Sequence, residues 1–394
     1  MKVLFLLPAS YPEGPASAKL IQRLAFGLEA SGVACEVLCF DKSLSGAREW
    51  RRDSCGVAYF GVKLSRKKVG RLLQGVSLAR QFRSRVRDAV AQRGVTHVWV
   101  YNPSWFLWRH VVRSCRASQT VVIAHLVEWW QFQVHLGQIY FDQQMFLRFC
   151  RPYLDGIVGI SSLWVKFAQE HKVPAIRVPV PCPVTAQTAL YPLQTSPRKS
   201  GAFTLIYSGQ LYRRDMPEVM LGAIRTVMMQ DRSINMVVLG KTDAWPESRA
   251  FCKAVAGDPQ LRNRVTITGY LSECAYAQHL ERADAFLLLH ADSWESRACF
   301  PTRLPEYLST GKPVIVSGVG DIPQYLRNEI DALVLSPGNT VEELASAILR
   351  LAHDPELSAR LGAAGRVRAL EHFSPVKLGQ RLQKFLDGLE IAKG

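Results

Sequence analysis

No apolar run in this 394-residue chain approaches the roughly 18 residues that cross a bilayer. The opening MKVLFLLP is cut by Pro8 and lacks a signal-peptide cleavage pattern, so the expected location is the cytoplasm. Nine cysteines, an odd number, contain no CxxC pair. That excludes a disulfide framework and a zinc site and predicts reduced, buried thiols at positions such as Cys35, Cys39 and Cys252. No GxGxxG follows the first strand, which argues against a nicotinamide enzyme. His and carboxylate residues never fall at metal-ligand spacing, so no metal is expected. Helix-turn-helix, zinc-finger and RNP-like patterns are missing too, which argues against nucleic acid.

Acid is scarce in one half only. Residues 1–190 carry 25 Lys plus Arg against 11 Asp plus Glu, and residues 191–394 carry 24 against 22. The first half therefore holds +14 of the +16 net charge, which points to an anionic partner: a membrane surface, a lipid phosphate or nucleic acid.

What is present reads as strands alternating with helices. KVLFLLP, CEVLCF, VAYFGV, THVWVY, TVVIAHL and GIVGIS are strand-like, with helical stretches at 18–31, 70–93, 104–117 and 162–171. Five prolines between Pro179 and Pro197 mark a linker. The alternation then resumes with FTLIYSG, NMVVLG, VTITGYL, AFLLLH, PVIVSG and ALVLSP, separated by helices at 216–230, 247–255, 273–282 and 304–310, and the chain is helical beyond Pro337. This predicts an α/β protein of two Rossmann-like, doubly wound parallel-sheet domains facing across a cleft. Their bounds are 1–180 and 203–373, with a linker at 181–202 and a terminal helix at 374–394.

Residues 285–318 are the most informative. AFLLLH and PVIVS are short apolar runs suited to strands buried on both faces. The crossing between them is a long loop and a short helix that Thr302 can cap, with Pro305 in its first turn and Gly311 as terminator. Such a helix starts at the carboxyl edge of the sheet, where open α/β sheets bind ligands. One turn in, Glu306 can accept from both hydroxyls of a ribose.

The wording FPTRLPEYLSTGKPVIVS resembles the donor signature of the retaining glycosyltransferases of family 4, which have the GT-B fold. The resemblance implies a metal-independent hexosyl transfer from a nucleotide sugar to a saccharide or lipid-linked acceptor. Surface polysaccharide or glycolipid assembly at the inner face of the membrane would be the setting, with no cofactor beyond the donor. In that family two glutamates eight positions apart mark the site. Glu306 matches the second, but the first falls on Ala298; Glu295, three residues earlier, lies in the same loop. Thr302 and Arg303 precede Glu306 as further donor contacts. The family places an Arg after the glycine that matches Gly209 and a Lys later, both against the diphosphate. Here the first is Gln210, which leaves Arg213 or Arg214, the latter preferred. Gly14 and Ser17 match the family's first loop, and the loop 318–323 its second donor loop. His125 ends a strand where the family often carries a histidine near the reacting sugar, and Glu128 is placed to hydrogen-bond it. The terminal helix would return to the first domain.

Residues 63–93 hold ten Lys or Arg and one acid, Asp88. Leu72, Val76, Ala79, Phe82, Val86 and Val90 share one helical face, with Arg80, Arg83 and Arg87 on another, suited to anionic headgroups. The aromatic clusters 105–108 and 129–132 suit an acceptor's lipid or rings. Ala298 and Gln210 also fit a non-catalytic relative that binds a nucleotide sugar or a partner enzyme.

Overall fold

The computed structural model describes residues 1–41, 49–63, 71–102, 104–129, 138–183 and 201–391. Most of the proline-rich stretch, the side chain of Leu72, and Trp130, Gln131 and Phe132 lie outside them. The chain divides into two compact units. The first comprises Met1–Gln187, Ala298–Phe300 and Ser374–Gly394, the second Thr188–Arg297 and Pro301–Phe373.

Among the described residues the first unit has eight strands: β1 (Lys2–Ser10), β2 (Ala34–Asp41), β3 (Arg51–Arg52), β4 (Ala58–Lys63), β5 (His97–Tyr101), β6 (Val121–Leu126), β7 (Gly156–Gly159) and β8 (Ala175–Arg177). Their spatial order is β3-β4-β2-β1-β5-β6-β7-β8, parallel except for the β3–β4 pair. Val3 to Leu7 of β1 are wholly buried, as an apolar run covered on both faces requires. The second unit has β9 (Phe203–Ser208), β10 (Ile234–Leu239), β11 (Val265–Ile267), β12 (Ala285–Leu288), β13 (Val314–Ser317) and β14 (Leu333–Leu335), all parallel, in the order β11-β10-β9-β12-β13-β14. Its core joins Leu205, Met236 and Leu287 of the sheet to Ile224 and Ile348 of the helices Pro217–Gln230 and Val341–His353.

The two parallel α/β sheets are those the strand pattern predicts. Several details differ. Helix Gln138–Phe149 was not expected, because apolar residues lie on more than one of its faces. Residues 294–298, expected as loop, form a short helix, and β3 and β8 are too short to show a period. The cysteines are free thiols, but Cys274 is exposed and Cys55, Cys252 and Cys299 only half-buried.

The last helix, Pro375–Ile391, belongs to the first unit and packs on Ala16–Glu29. Leu378, Leu382, Leu386 and Leu389 form its buried stripe. Two glycines let the backbones touch: a Cβ on Gly27 would strike the Pro375 carbonyl, and one on Gly379 would strike the Gly27 carbonyl. Backbone cannot yield as a flexible side chain would. Gly379→Ala should therefore cost about 1–3 kcal/mol by overpacking and lower the thermal midpoint. Gly388→Ala on the same helix meets open space and should gain about 0.5–1 kcal/mol of helix propensity. Scanning calorimetry of the pair checks the opposite signs.

Candidate active site

The second sheet reverses its direction of growth between β9 and β12. The chain lays β9, β10 and β11 to one side, then β12, β13 and β14 to the other. Loops leaving the carboxyl ends of β9 and β12 diverge there, which opens the crevice where sheets of this order take ligands.

The β9 loop brings Arg214 and Asp215, and the β12 loop brings His290 and Glu295. Arg214 Nη1 lies 3.3 Å from Glu295 Oε1, and its Nε is 3.9 Å from Asp215 Oδ1. Asp215 is 8% exposed. Its Oδ2 accepts from the Tyr207 hydroxyl at 2.8 Å and the Tyr212 N–H at 3.1 Å. Burial raises the Asp215 pKa, and the Arg214 charge opposes that rise. His290 Nε2 is 3.9 Å from Asp215, but burial, with the Arg214 charge adding to it, lowers its pKa to about 3. A neutral imidazole leaves Arg214 as the cation of this network. The Ala291 N–H donates to the Arg214 carbonyl at 2.8 Å and ties the two loops together.

Glu306 lies on the short helix Leu304–Ser309 between β12 and β13 and is 4% exposed. Arg303 Nη1 donates to its Oε2 at 2.7 Å, and the Tyr276 hydroxyl donates to the same oxygen at 3.3 Å. The Arg303 guanidinium stacks 4.6 Å over the Tyr276 ring. Burial is the largest single influence on Arg303 and pulls its pKa down, but Glu306, Tyr276 and Tyr307 together outweigh it and the net shift is upward. A buried carboxylate is tolerable only with such partners.

Two glycines shape the same edge. A Cβ on Gly209 would strike the Tyr207 hydroxyl. Gly320, at φ +62°, brings its backbone to the turn at Ser296 and Arg297, where a Cβ would lie 3.3 Å from the Arg297 Cα. Gln210 accepts from the Trp245 indole at 3.0 Å, and Trp245 packs on Tyr212 at 4.7 Å.

The structure thus brings Arg214, Glu295 and Gly209 together at the crevice, with Glu306 and Arg303 at the same sheet edge. Arg213 is not part of that set: it is exposed, 5.9 Å over the Tyr212 ring. Thr302 does not cap the helix, whose N-cap is Arg303 without a side-chain cap bond. Ala298 is wholly buried. Asp215, His290 and Tyr276 were missed, since a single Asp after two arginines, a strand-end His and a helical Tyr carry no motif.

In the first unit, Gly14 and Ser17 follow β1, beside the point where that sheet reverses between β1 and β5. A Cβ on Gly14 would strike the Ser10 carbonyl. His125 on β6 is fully buried, edge-on to Trp99 at 5.4 Å and Tyr101 at 5.5 Å. Neither ring nitrogen has a hydrogen-bond partner among the described residues, and burial lowers its pKa to about 3. The expected bond to Glu128 is not made: the Glu128 carboxylate accepts from Asn102 Nδ2 at 3.4 Å.

Residues 202–354 match the family model described as Glycosyl transferases group 1. No curated protein matches the chain in sequence. Among solved structures, the sucrose-phosphate synthase of Thermosynechococcus elongatus is similar at 16% identity and a TM-score of 0.74, with all of both chains covered. HepE of Anabaena, solved with UDP, is 15% identical at a TM-score of 0.69, covering 98% of this chain and all of that one. A glycosyltransferase of Rickettsia africae is 13% identical at 0.70, with 98% of each chain covered. The fold is of the GT-B type, and the stretch that resembles the group 1 glycosyl transferases falls almost wholly within its second unit.

His125 takes no proton in the folded chain until far below its ordinary pKa of 6.5, whereas the unfolded chain takes one near 6.5. The stability it supports is therefore complete above pH 6.5 and falls as pH drops towards 3. One unit below its ordinary pKa the loss is about 1.4 kcal/mol. His125→Phe should leave the neutral-pH midpoint unchanged or higher and flatten its decline on acidification. Thermal melts across a pH series check this, and a drop in activity without a drop in stability would return His125 to the chemistry.

Proposed function

We propose that the protein is a retaining, metal-independent glycosyltransferase that takes a hexosyl group from a nucleoside-diphosphate sugar. The observation that carries this reading is Glu306, a buried carboxylate at the carboxyl edge of the domain matched by the group 1 family, paired with Arg303 and Tyr276. A ribose entering there offers two hydroxyl donors to that carboxylate. The diphosphate then meets Arg214 at the β9–β12 crevice, because a guanidinium offers a planar fork to phosphate oxygens. Glu295, bound to Arg214, holds the guanidinium in place and supplies a carboxylate in the same short helix where Ala298 has none. The C1–oxygen bond to the diphosphate breaks as the acceptor oxygen bonds to C1 on the same face. The acceptor's proton passes to the departing phosphate oxygen, so no strong protein base is required. His125, buried and neutral, acts at most by packing.

The similarity to HepE, solved with UDP, supports a uridine nucleotide as the first donor class to try. The +14 first half favours a lipid-linked or other anionic acceptor at the cytoplasmic face of a membrane, in surface polysaccharide or glycolipid assembly. Among the described residues no helix is long and apolar enough to cross a membrane, and peripheral attachment is consistent with that.

Mass-detected turnover over a panel of UDP, GDP and ADP sugars tests the reaction. Turnover with one donor class is expected, and binding without turnover across all of them would favour the non-catalytic reading suggested by Ala298 and Gln210. Glu306→Gln should weaken nucleotide binding by about 1.5–3 kcal/mol, the worth of a charged hydrogen bond; unchanged affinity in titration calorimetry would remove Glu306 from the site. Arg214→Ala should weaken the nucleoside diphosphate at least tenfold, about 1.4 kcal/mol, and leave the nucleoside nearly unaffected. Equal losses for both ligands would contradict a phosphate role.

A further inference from the structure

Helices Arg71–Arg93, Trp105–Ala117 and Gln138–Phe149 of the first unit hold ten arginines and two aspartates between them. They lie side by side. Phe82 of the first meets Trp108 of the second edge-on at 5.1 Å, and the Phe106 N–H of the second donates to Asp142 of the third at 2.8 Å. That bond engages one of the two aspartates.

On the outer side, Arg80, Arg83 and Arg87 of the first helix are exposed, while Phe82 and Val86 are buried. The pKa of His110 on the second helix is lowered by burial first and then by Arg109, Arg83 and Arg113, so arginines of both helices form one positive patch. The third helix adds a different chemistry. Phe141, Met145 and Phe149, spaced four apart, form a stripe on its outer face; Phe141 is 55% and Phe149 42% exposed with Met145 half-buried between them, and Ile139 at its start is 50% exposed. Arg148 is exposed beside them, 5.8 Å from the Phe149 ring. Its inner face, with Phe146 and Leu147, is buried.

A cationic patch flanked by an exposed apolar stripe matches an anionic bilayer, where arginines meet headgroup phosphates and apolar side chains enter the boundary with the acyl chains. Nucleic acid would engage the arginines but has no use for Ile139 and Met145. We propose that this three-helix face seats the first unit on an anionic bilayer, with Phe141, Met145 and Phe149 inserted and the arginines on phosphates. The proposal is independent of the donor site, which lies in the other unit.

Flotation of the full chain with phosphatidylcholine vesicles, with and without phosphatidylglycerol, tests it. The chain should float with the anionic vesicles only, and less as salt rises. Arg80→Gln/Arg83→Gln/Arg87→Gln should lose about a hundredfold in partitioning. Phe141→Ser/Phe149→Ser should weaken binding at every salt concentration and keep the salt slope. Phe141→Trp, which keeps the apolar bulk, should show blue-shifted emission on anionic vesicles and none on neutral ones, whatever the folding of the other variants. Failure of the wild type to float, flotation of both multiple variants equal to wild type, or a Phe141→Trp emission unmoved by anionic vesicles would overturn the proposal. Random-sequence DNA competing fully with the vesicles while the Phe variants bind normally would assign the face to nucleic acid instead. Nucleotide titration of the same samples reports separately on the donor reading.

Discussion

A carboxylate taken out of water must find positive charge and donors inside the protein, or it protonates or unfolds its surroundings. Glu306 meets that demand through Arg303 and Tyr276, and much of the second unit follows from holding those groups in place. Tyr276 comes from the helix Glu273–Arg282 that precedes β12, Arg303 from the turn after it, and Glu306 from the helix leading to β13. Tyr307, the next residue, stacks at 4.3 Å on Phe286 of β12 and fixes the short helix against the sheet. Moving any of these elements would strand a charge. A second buried acid, Asp215, is served in the same way by Tyr207, Tyr212 and Arg214 across the β9 loop. The strand order brings both acids to one edge.

Close backbone approach is the other recurrent device. Gly27 with Gly379, Gly362 against the Gly311 carbonyl, and Gly320 against the 296–297 turn each let chain pass where a Cβ has no room. The first fixes the final helix within the first unit. The last brings the turn after β13 to the helix that carries Glu295. Packing and site geometry therefore draw on the same property of glycine.

The parallel sheets were legible because βα alternation and doubly buried apolar strands leave a local pattern, and Glu306 because a short helix between two such strands can start only at the carboxyl edge. Arg214 was distinguishable from Arg213 only weakly in sequence, since both follow the same glycine; the fold separates them by turning one to solvent and the other to Glu295. His125 reads like a site residue at a strand end, yet even as the next-to-last residue of β6 it is fully buried, with its ring against those of Trp99 and Tyr101. The exposed stripe of Gln138–Phe149 escaped notice because its apolar residues cover both the buried and the outer face, which erases the amphipathic signal. Asp215 takes its bonds from Tyr207 and Tyr212 nearby in the chain, a spacing that carries no motif, and its link to Glu295 runs through Arg214 to a loop 81 residues away, which no local pattern encodes.

The central claim is that a nucleoside diphosphate binds at the carboxyl edge of the second sheet, around the β9–β12 reversal. Hydrogen–deuterium exchange of the full chain, with and without saturating UDP, GDP or ADP, tests it most directly. One of the three should slow exchange at residues 209–215, 290–298, 302–306 and 318–321 and leave the amino edge of that sheet unchanged. Protection centred elsewhere, or none with any of the three at concentrations that saturate in calorimetry, would contradict it.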